Sequence, residues 1–468
     1  MTRHLPPVLI DSLEGLPGFD RAAFLAAHGD SVYPTSLRFN PAKSGAVAAG
    51  PKLTPVPWCS RGFYLETRPS FILDPAWHAG LYYVQEASGM FIERALLTCA
   101  PSGPLRVLDA CAAPGGKSTH LQSLLGPSDL LVCNEAIRNR VPVLKENLSR
   151  WGADNVVVTN DDPGKFEALP GFFNFMLVDA PCSGSGLFRR DPEATREWSP
   201  EAVRLCSLRQ RRILADLWGS LGEGGVLVYS TCSYSREEDE DILDYLLDAL
   251  GAEPLRVDVD PGWGIAEAPS RLGGYGYRFY PGRVDGEGLF VACVRKPGAC
   301  AGGGLALKPL EGGSKSDHAE LSRWLTEPGG YRFIRRSDDE WFAFPLRHEG
   351  SLADLERHLR VVRAGIPMGQ LIRSGLIPDP ALALSTGLAP EVRRLAVGRE
   401  DAIRYIRKES LQIPGAPPGW TLITSEGLGL GWVKVVPGRI NNYYPREWRV
   451  LTSAQNPPDS PPRPPSPT

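Results

Sequence analysis

Between residues 105 and 250, short apolar runs closed by small-residue turns alternate with stretches of helical spacing. Leu105–Asp109, Leu130–Asn134, Val156–Thr159, Phe175–Asp179 and Val226–Ser230 are too short for buried helices and are bounded by turn formers. Each therefore predicts a buried strand. Ser118–Leu125, Arg138–Trp151 and Glu237–Leu250 carry apolar residues at helical spacing, with Val141, Leu144 and Leu148 on one face of the second. Ser235 and Glu238 have the spacing of a capping box in front of the third. Strands alternating with helices predict a doubly wound α/β fold around a parallel sheet. Arg256–Val294 predicts an antiparallel hairpin, turning at Tyr275–Arg278, that closes that sheet.

The flanks read differently. Residues 1–100 mix short helical patches, such as Asp20–His28 with Asp20 near its start, with Pro-rich turns, and predict an accessory unit. A catalytic unit spans 101–297. Residues 298–318 are rich in Gly, Ala and Ser and predict a linker. Beyond it, 319–453 predict a mixed unit with a helix at Ala319–Leu325, a strand at Trp341–Phe344 and a helix at Arg399–Glu409. Strands at Thr421–Ile423 and Gly431–Val436 complete it. The Pro/Ser-rich end, 454–468, predicts disorder.

Composition narrows the class. With 42% hydrophobic and 22% charged residues the chain reads as a soluble globular protein. No apolar run reaches membrane-spanning length, and no export signal is expected. Nine cysteines without paired zinc-type spacing suit a reducing cytoplasm, and no metal site is expected. A net charge of -3 leaves nucleic-acid binding to local basic patches. One such patch runs through Arg189, Arg190, Arg196, Arg204, Arg209, Arg211 and Arg212, where phosphate contact is expected. In Asn441–Arg449 aromatics interleave with Arg, a composition that suits single-stranded RNA as well as a small β core.

The chemistry concentrates at strand ends. Pro181 and the glycines after it stop the Phe175 strand, so Asp179 and Cys182 belong at its carboxyl end, where open α/β sheets bind ligands. A carboxylate and a thiol there could hold and attack a planar heterocycle. The Val226 strand brings a second thiol, Cys232, to an equivalent place. After the first strand, Cys111-Ala112-Ala113-Pro114-Gly115-Gly116-Lys117 is a small-residue turn into a helix, suited to close backbone approach by a ligand. It is neither the dinucleotide fingerprint nor a P-loop. Glu135, at the end of the second strand, is spaced to accept from ribose hydroxyls.

Asp109–Lys117, Glu135, Asp179–Gly186 and Ser230–Ser233 together resemble the NOL1/NOP2/Sun family of RNA cytosine-5 methyltransferases, over roughly residues 30 to 295. Ile440–Arg446 looks like the RsmF-type branch, which modifies 16S ribosomal RNA and carries a PUA-like RNA-binding domain. The resemblance implies a Rossmann-like class I methyltransferase sheet, S-adenosylmethionine as cofactor, and RNA as partner, either 16S rRNA or the small ribosomal subunit. A cytoplasmic monomer is expected. Local sequence does not choose between the two thiols. The resemblance implies that Cys232 attacks cytosine, Cys182 assists release and Asp179 holds the N3/N4 edge of the base. It also implies that Cys111–Lys117, with Asp179, cradle the cofactor, that Glu135 binds its ribose and Asp162 its adenine side. Asp161 is a one-residue alternative to Asp162. A DNA cytosine-5 enzyme would reverse the roles of the thiols, and a non-catalytic ribosome-assembly factor would use neither.

Overall fold

A computed structural model describes residues 5–29, 33–44, 53–298, 313–336, 339–412, 415–416 and 418–451. Its centre is a mixed sheet, ten-stranded among the described residues. We number its strands in chain order: β1 Arg106–Asp109, β2 Leu130–Asn134, β3 Val156–Thr159, β4 Phe173–Asp179, β5 Leu221–Thr231, β6 Glu253–Leu255, β7 Ala266–Pro269, β8 Tyr275–Phe279, β9 Leu289–Arg295 and β10 Val361–Ala364. The five expected strands are all present and run parallel in the order β5-β4-β1-β2-β3.

The central residues of these strands are apolar because both faces of the sheet are covered. Val107, Leu131, Phe175 and Val228 pack into one layer, and Leu108, Val132, Met176 and Leu227 into the other. Helices α1 Gly116–Leu124, α2 Val141–Trp151, α3 Pro200–Trp218 and α4 Glu240–Asp248 connect the strands or flank the sheet. Val141, Leu144 and Leu148 form the buried face of α2, as their spacing predicts.

Three expectations are corrected. Tyr275–Phe279 is not a turn but strand β8, antiparallel to β9, which is itself antiparallel to β5. Arg278 explains this, because its guanidinium is buried against Glu240 and Tyr234 O instead of facing solvent at a bend. The capping box does not form: Ser235 makes no side-chain cap, a 3-10 turn covers Arg236–Glu238, and the α-helix starts only at Glu240. Finally, the helix after the linker lies at Lys315–Ser322, capped by a Ser314–Asp317 box, earlier than expected. Most of the linker and all of 454–468 lie outside the described residues.

The flanking units are joined to the centre more closely than the sequence pattern suggests. Strand β10, from beyond the linker, pairs antiparallel with β3 and extends the catalytic sheet. Lys43 Nζ donates to Ala79 O, Arg150 O and Leu384 O at 2.8, 2.7 and 2.7 Å, one carbonyl from each of the three regions. The Tyr444 hydroxyl lies 2.8 Å from His78 Nδ1 and closes a core shared by Leu73, Ala79, Tyr405 and Ile406. Among the described residues no helix is long and apolar enough to cross a membrane.

Candidate active site

Strand register makes the site. In the parallel pair β4–β5, Asp179 lies opposite Ser230. Pro181 offers no N–H and ends β4. Cys182 follows three residues after Asp179 and Cys232 two residues after Ser230, so the two turns bring the thiols together. Their sulfurs are 3.0 Å apart. Both cysteines are partly exposed. The hydrogen bond to Cys232, with burial behind it, pushes the Cys182 thiol well above the ordinary range. Either sulfur can donate in this contact.

Two glycines permit this approach. Gly184 adopts φ +76°, the left-handed region that glycine tolerates best. Gly186 donates from its N–H to Cys232 O at 2.8 Å, and a Cβ there would sit 2.7 Å from that oxygen. A side chain at 186 would force the two turns apart.

Asp179 is held from two sides. Ser230 Oγ donates to its Oδ1 at 2.7 Å, and Lys117 Nζ lies 2.8 Å from its Oδ2. Burial works against the Lys117 charge, but attraction to Asp179 outweighs it and raises the ammonium pKa. Lys117 thus links the β1–α1 loop to the thiols.

The residues of that loop fit an S-adenosylmethionine. Gly115 caps α1 in the left-handed region at φ +111° without a side-chain bond, leaving backbone N–H groups at the helix start for a ligand. Asp109 accepts from Ser118 Oγ at 2.6 Å, while its buried Oδ1 makes no hydrogen bond. Burial raises the Asp109 carboxyl to about 7, although Ser118 and the Cys111 N–H pull it back. Glu135 is buried, its carboxylate accepting from Ile137 N at 2.8 Å and from Ala113 N at 3.3 Å. Arg140, which sequence reasoning did not single out, donates to Ala113 O at 2.6 Å and pairs with Glu135. Burial pushes the Cys111 thiol far up.

At the end of β3, Asp161 Oδ2 accepts from the Arg360 N–H at 2.7 Å. Asp162 is exposed and pairs with Arg212, which lowers its carboxyl pKa. The structure therefore leaves Asp162 the more open of the two.

The basic run divides. Arg189 is buried and donates to Gly286 O, Arg196 pairs with Glu193, and Arg212 is taken by Asp162 and Asp216. Arg190, Arg204 and Arg209 are exposed. In the C-terminal aromatic stretch Tyr444 is core, whereas Tyr443 is 40% exposed beside Trp420 and remains open to a base. Sequence reasoning also missed Glu238, a buried carboxylate behind both thiols, because its spacing from Ser235 suggested a cap. Among the described residues one group could hold a metal ion, the buried Cys59, Glu93 and His120. They hydrogen-bond one another between the N-terminal and catalytic regions.

Known proteins resemble this chain over most of its length. Residues 96–295 match the family described as 16S rRNA methyltransferase RsmB/F. Residues 5–87 match the N-terminal domain of 16S rRNA methyltransferase RsmF, and 392–450 the methyltransferase RsmF PUA domain. Ribosomal RNA small subunit methyltransferase F of Serratia proteamaculans is 34% identical over 417 residues, covering 85% of this chain and 84% of that protein. Its counterpart in Klebsiella pneumoniae is 33% identical over 416 residues, covering 85% of each chain. Among solved structures, PH0851 matches 62% of this chain and 66% of its own at 25% identity with a TM-score of 0.54. NSun6 from Pyrococcus horikoshii, solved with SFG, matches 64% of this chain and 100% of its own at 20% identity and a TM-score of 0.53, a likeness of fold.

Proposed function

We propose, from the premise that this chain belongs to the 16S rRNA methyltransferase RsmB/F family, that it methylates carbon 5 of cytosine in small-subunit ribosomal RNA through a covalent adduct. It is an S-adenosylmethionine-dependent RNA methyltransferase. The observation that carries the finer reading is the pair of thiols 3.0 Å apart beside the Asp179 carboxylate.

Carbon 5 of cytosine is a weak nucleophile until a thiolate adds to carbon 6. The family resemblance assigns that thiolate to Cys232, whose sulfur lies 3.0 Å from that of Cys182. Asp179, fixed by Lys117 and Ser230, holds the N3/N4 edge of the base. The target base must leave its stack to reach the strand ends. S-adenosylmethionine, when bound, supplies an electrophilic methyl group for carbon 5. Cys111, Ala112, Ala113, Pro114, Gly115, Gly116 and Lys117 would hold it with Glu135, Asp162 and Asp179. Solvent water takes the carbon-5 proton, and the electrons of that C–H bond restore the ring double bond and expel the Cys232 sulfur as a thiolate. Cys182 assists that release. The regions 1–100 and 319–453 grip RNA on either side of a 101–297 catalytic unit, with Tyr443, Arg446 and Arg449 exposed for contact. The enzyme acts as a cytoplasmic monomer.

A trapping assay tests the reading. Cys182→Ala incubated with 16S rRNA and S-adenosylmethionine should accumulate an RNA adduct that survives denaturing electrophoresis. The adduct should vanish when Cys232→Ala is added. Accumulation in Cys232→Ala instead would reverse the two roles, and no adduct in either variant with wild-type methylation intact would end the covalent account.

A further inference from the structure

Glu238 is fully buried, yet it belongs neither to the expected cap nor to any ion pair among its hydrogen bonds. Its carboxylate is saturated. Oε1 accepts from Ser183 N at 2.9 Å and Gln210 Nε2 at 3.1 Å. Oε2 accepts from Ser183 Oγ at 2.5 Å and Ser233 Oγ at 2.6 Å. A carboxylate offers about four acceptor positions, so none is left to take a proton from substrate.

The donors define the purpose. Ser183 follows Cys182 and Ser233 follows Cys232, so one side chain bridges the two turns that carry the thiols. Gln210 extends the bridge, since Nε2 also lies 3.1 Å from Pro181 O, on the other side of Cys182. An unpaired buried carboxylate is expensive, and a chain keeps one where its geometry is needed. We propose that Glu238 is a positioning residue that sets the spacing of Cys182 and Cys232, locking the Ser183 and Ser233 turns together through a single carboxylate.

The alternative is a carboxylate that merely stabilises the start of the following helix. Glutamine keeps the length and can still bridge the two serines, whose hydroxyls donate or accept. Alanine cannot, and aspartate is one methylene too short. The inference rests on the reading that both thiols act on one base, so its test reads thiol geometry independently of methylation. Diamide converts two neighbouring thiols to a disulfide and is itself reduced to the hydrazine, so the rate of Cys182–Cys232 coupling, followed by mass spectrometry, reports their approach.

Glu238→Ala should couple at least about 10-fold more slowly, and its kcat should fall by about 10²-fold, the cost of a misplacement near 1 Å. S-adenosylmethionine binding, measured by calorimetry, should be unchanged, and Glu238→Gln should recover both rates to within about threefold of wild type. If Glu238→Ala does not fold, Ser233→Ala, which removes one strut, should slow both rates about 3- to 10-fold. Unchanged coupling in the Ala variants, or a Gln variant as slow as Ala, would overturn the inference. Slowed coupling together with no RNA adduct in either Cys182→Ala or Cys232→Ala would leave the clamp standing and defeat the proposed chemistry instead.

Discussion

Lys117 Nζ lies 2.8 Å from Asp179 Oδ2, and this ion pair joins the small-residue loop after β1 to the strand end that carries the first thiol. Both side chains are largely shielded from solvent, 20% and 32% exposed, so the contact is drier than an ordinary surface pair. On the proposed reading it ties the cofactor side of the site to the base side. Removing the ammonium leaves Asp179 with Ser230 alone and free to rotate. Lys117→Met is expected to lower kcat by about 10- to 100-fold. Single-turnover methyl incorporation into rRNA measures it, and a rate within twofold of wild type would mean that Ser230 alone fixes the carboxylate.

Gly186 tests the closeness of the two turns from the backbone side. A Cβ there would lie 2.6 Å from Gly288 O and 2.7 Å from Cys232 O, and neither carbonyl can rotate away as a side chain would. Gly186→Ala should therefore cost about 1–3 kcal/mol of stability and displace the Cys232 turn. Gly184→Ala is the contrast, because nothing lies within 4 Å of its Cβ and only its φ of +76° opposes the change. It should cost about 1 kcal/mol through strain. Denaturant unfolding should rank the two in that order, with methylation more impaired in Gly186→Ala.

Much of this site is legible in the sequence because its parts are local. The strand ends follow from apolar runs stopped by Pro181 and small residues, and Asp109–Lys117 reads as a strand-to-helix turn on its own. What escaped was set by partners distant in the chain. Glu238 fits a cap by spacing, but Ser183, some 55 residues earlier, claims its carboxylate. Tyr275–Arg278 has the composition of a turn until Glu240 draws Arg278 into the core. Strand β10 was invisible as part of the sheet because its partner β3 lies some 200 residues before it. Periodicity reports which face of an element is buried, not which other element buries it.

Asp109 gives the site a pH dependence. Burial raises its carboxyl to about 7 in the folded protein, against about 4 in an unfolded chain. The folded state thus binds the extra proton between those values, and the stability contributed by protonated Asp109 is lost as pH rises from about 4 to about 7. Asp109→Asn keeps an acceptor for Ser118 Oγ and cannot ionise. Its stability relative to wild type should improve across that window, by up to about 4 kcal/mol in the limit, and level off above pH 7. Unfolding in urea at pH 5, 6, 7 and 8 checks the sign, and a difference independent of pH would show that Asp109 is ionised in the fold throughout.

Lys43 carries the last prediction, which concerns how the three regions hold together. Its ammonium donates to Ala79 O, Arg150 O and Leu384 O, all within 2.8 Å. Three carbonyls from separate parts of the chain converge on one charge, and charge-assisted bonds of this kind are worth about 1.5–3 kcal/mol each before the cost of desolvating the ammonium. Lys43→Met preserves the apolar stem but leaves those carbonyls without their shared donor. The net loss is expected to be about 2–4 kcal/mol, and it should fall on the junction rather than on the catalytic sheet, whose layers Lys43 does not enter. Hydrogen exchange should therefore quicken around Ala79 and Leu384 while β1 and β4 stay protected. Uniform quickening, including β1 and β4, would instead mean that the C-terminal region unfolds only together with the sheet that β10 extends.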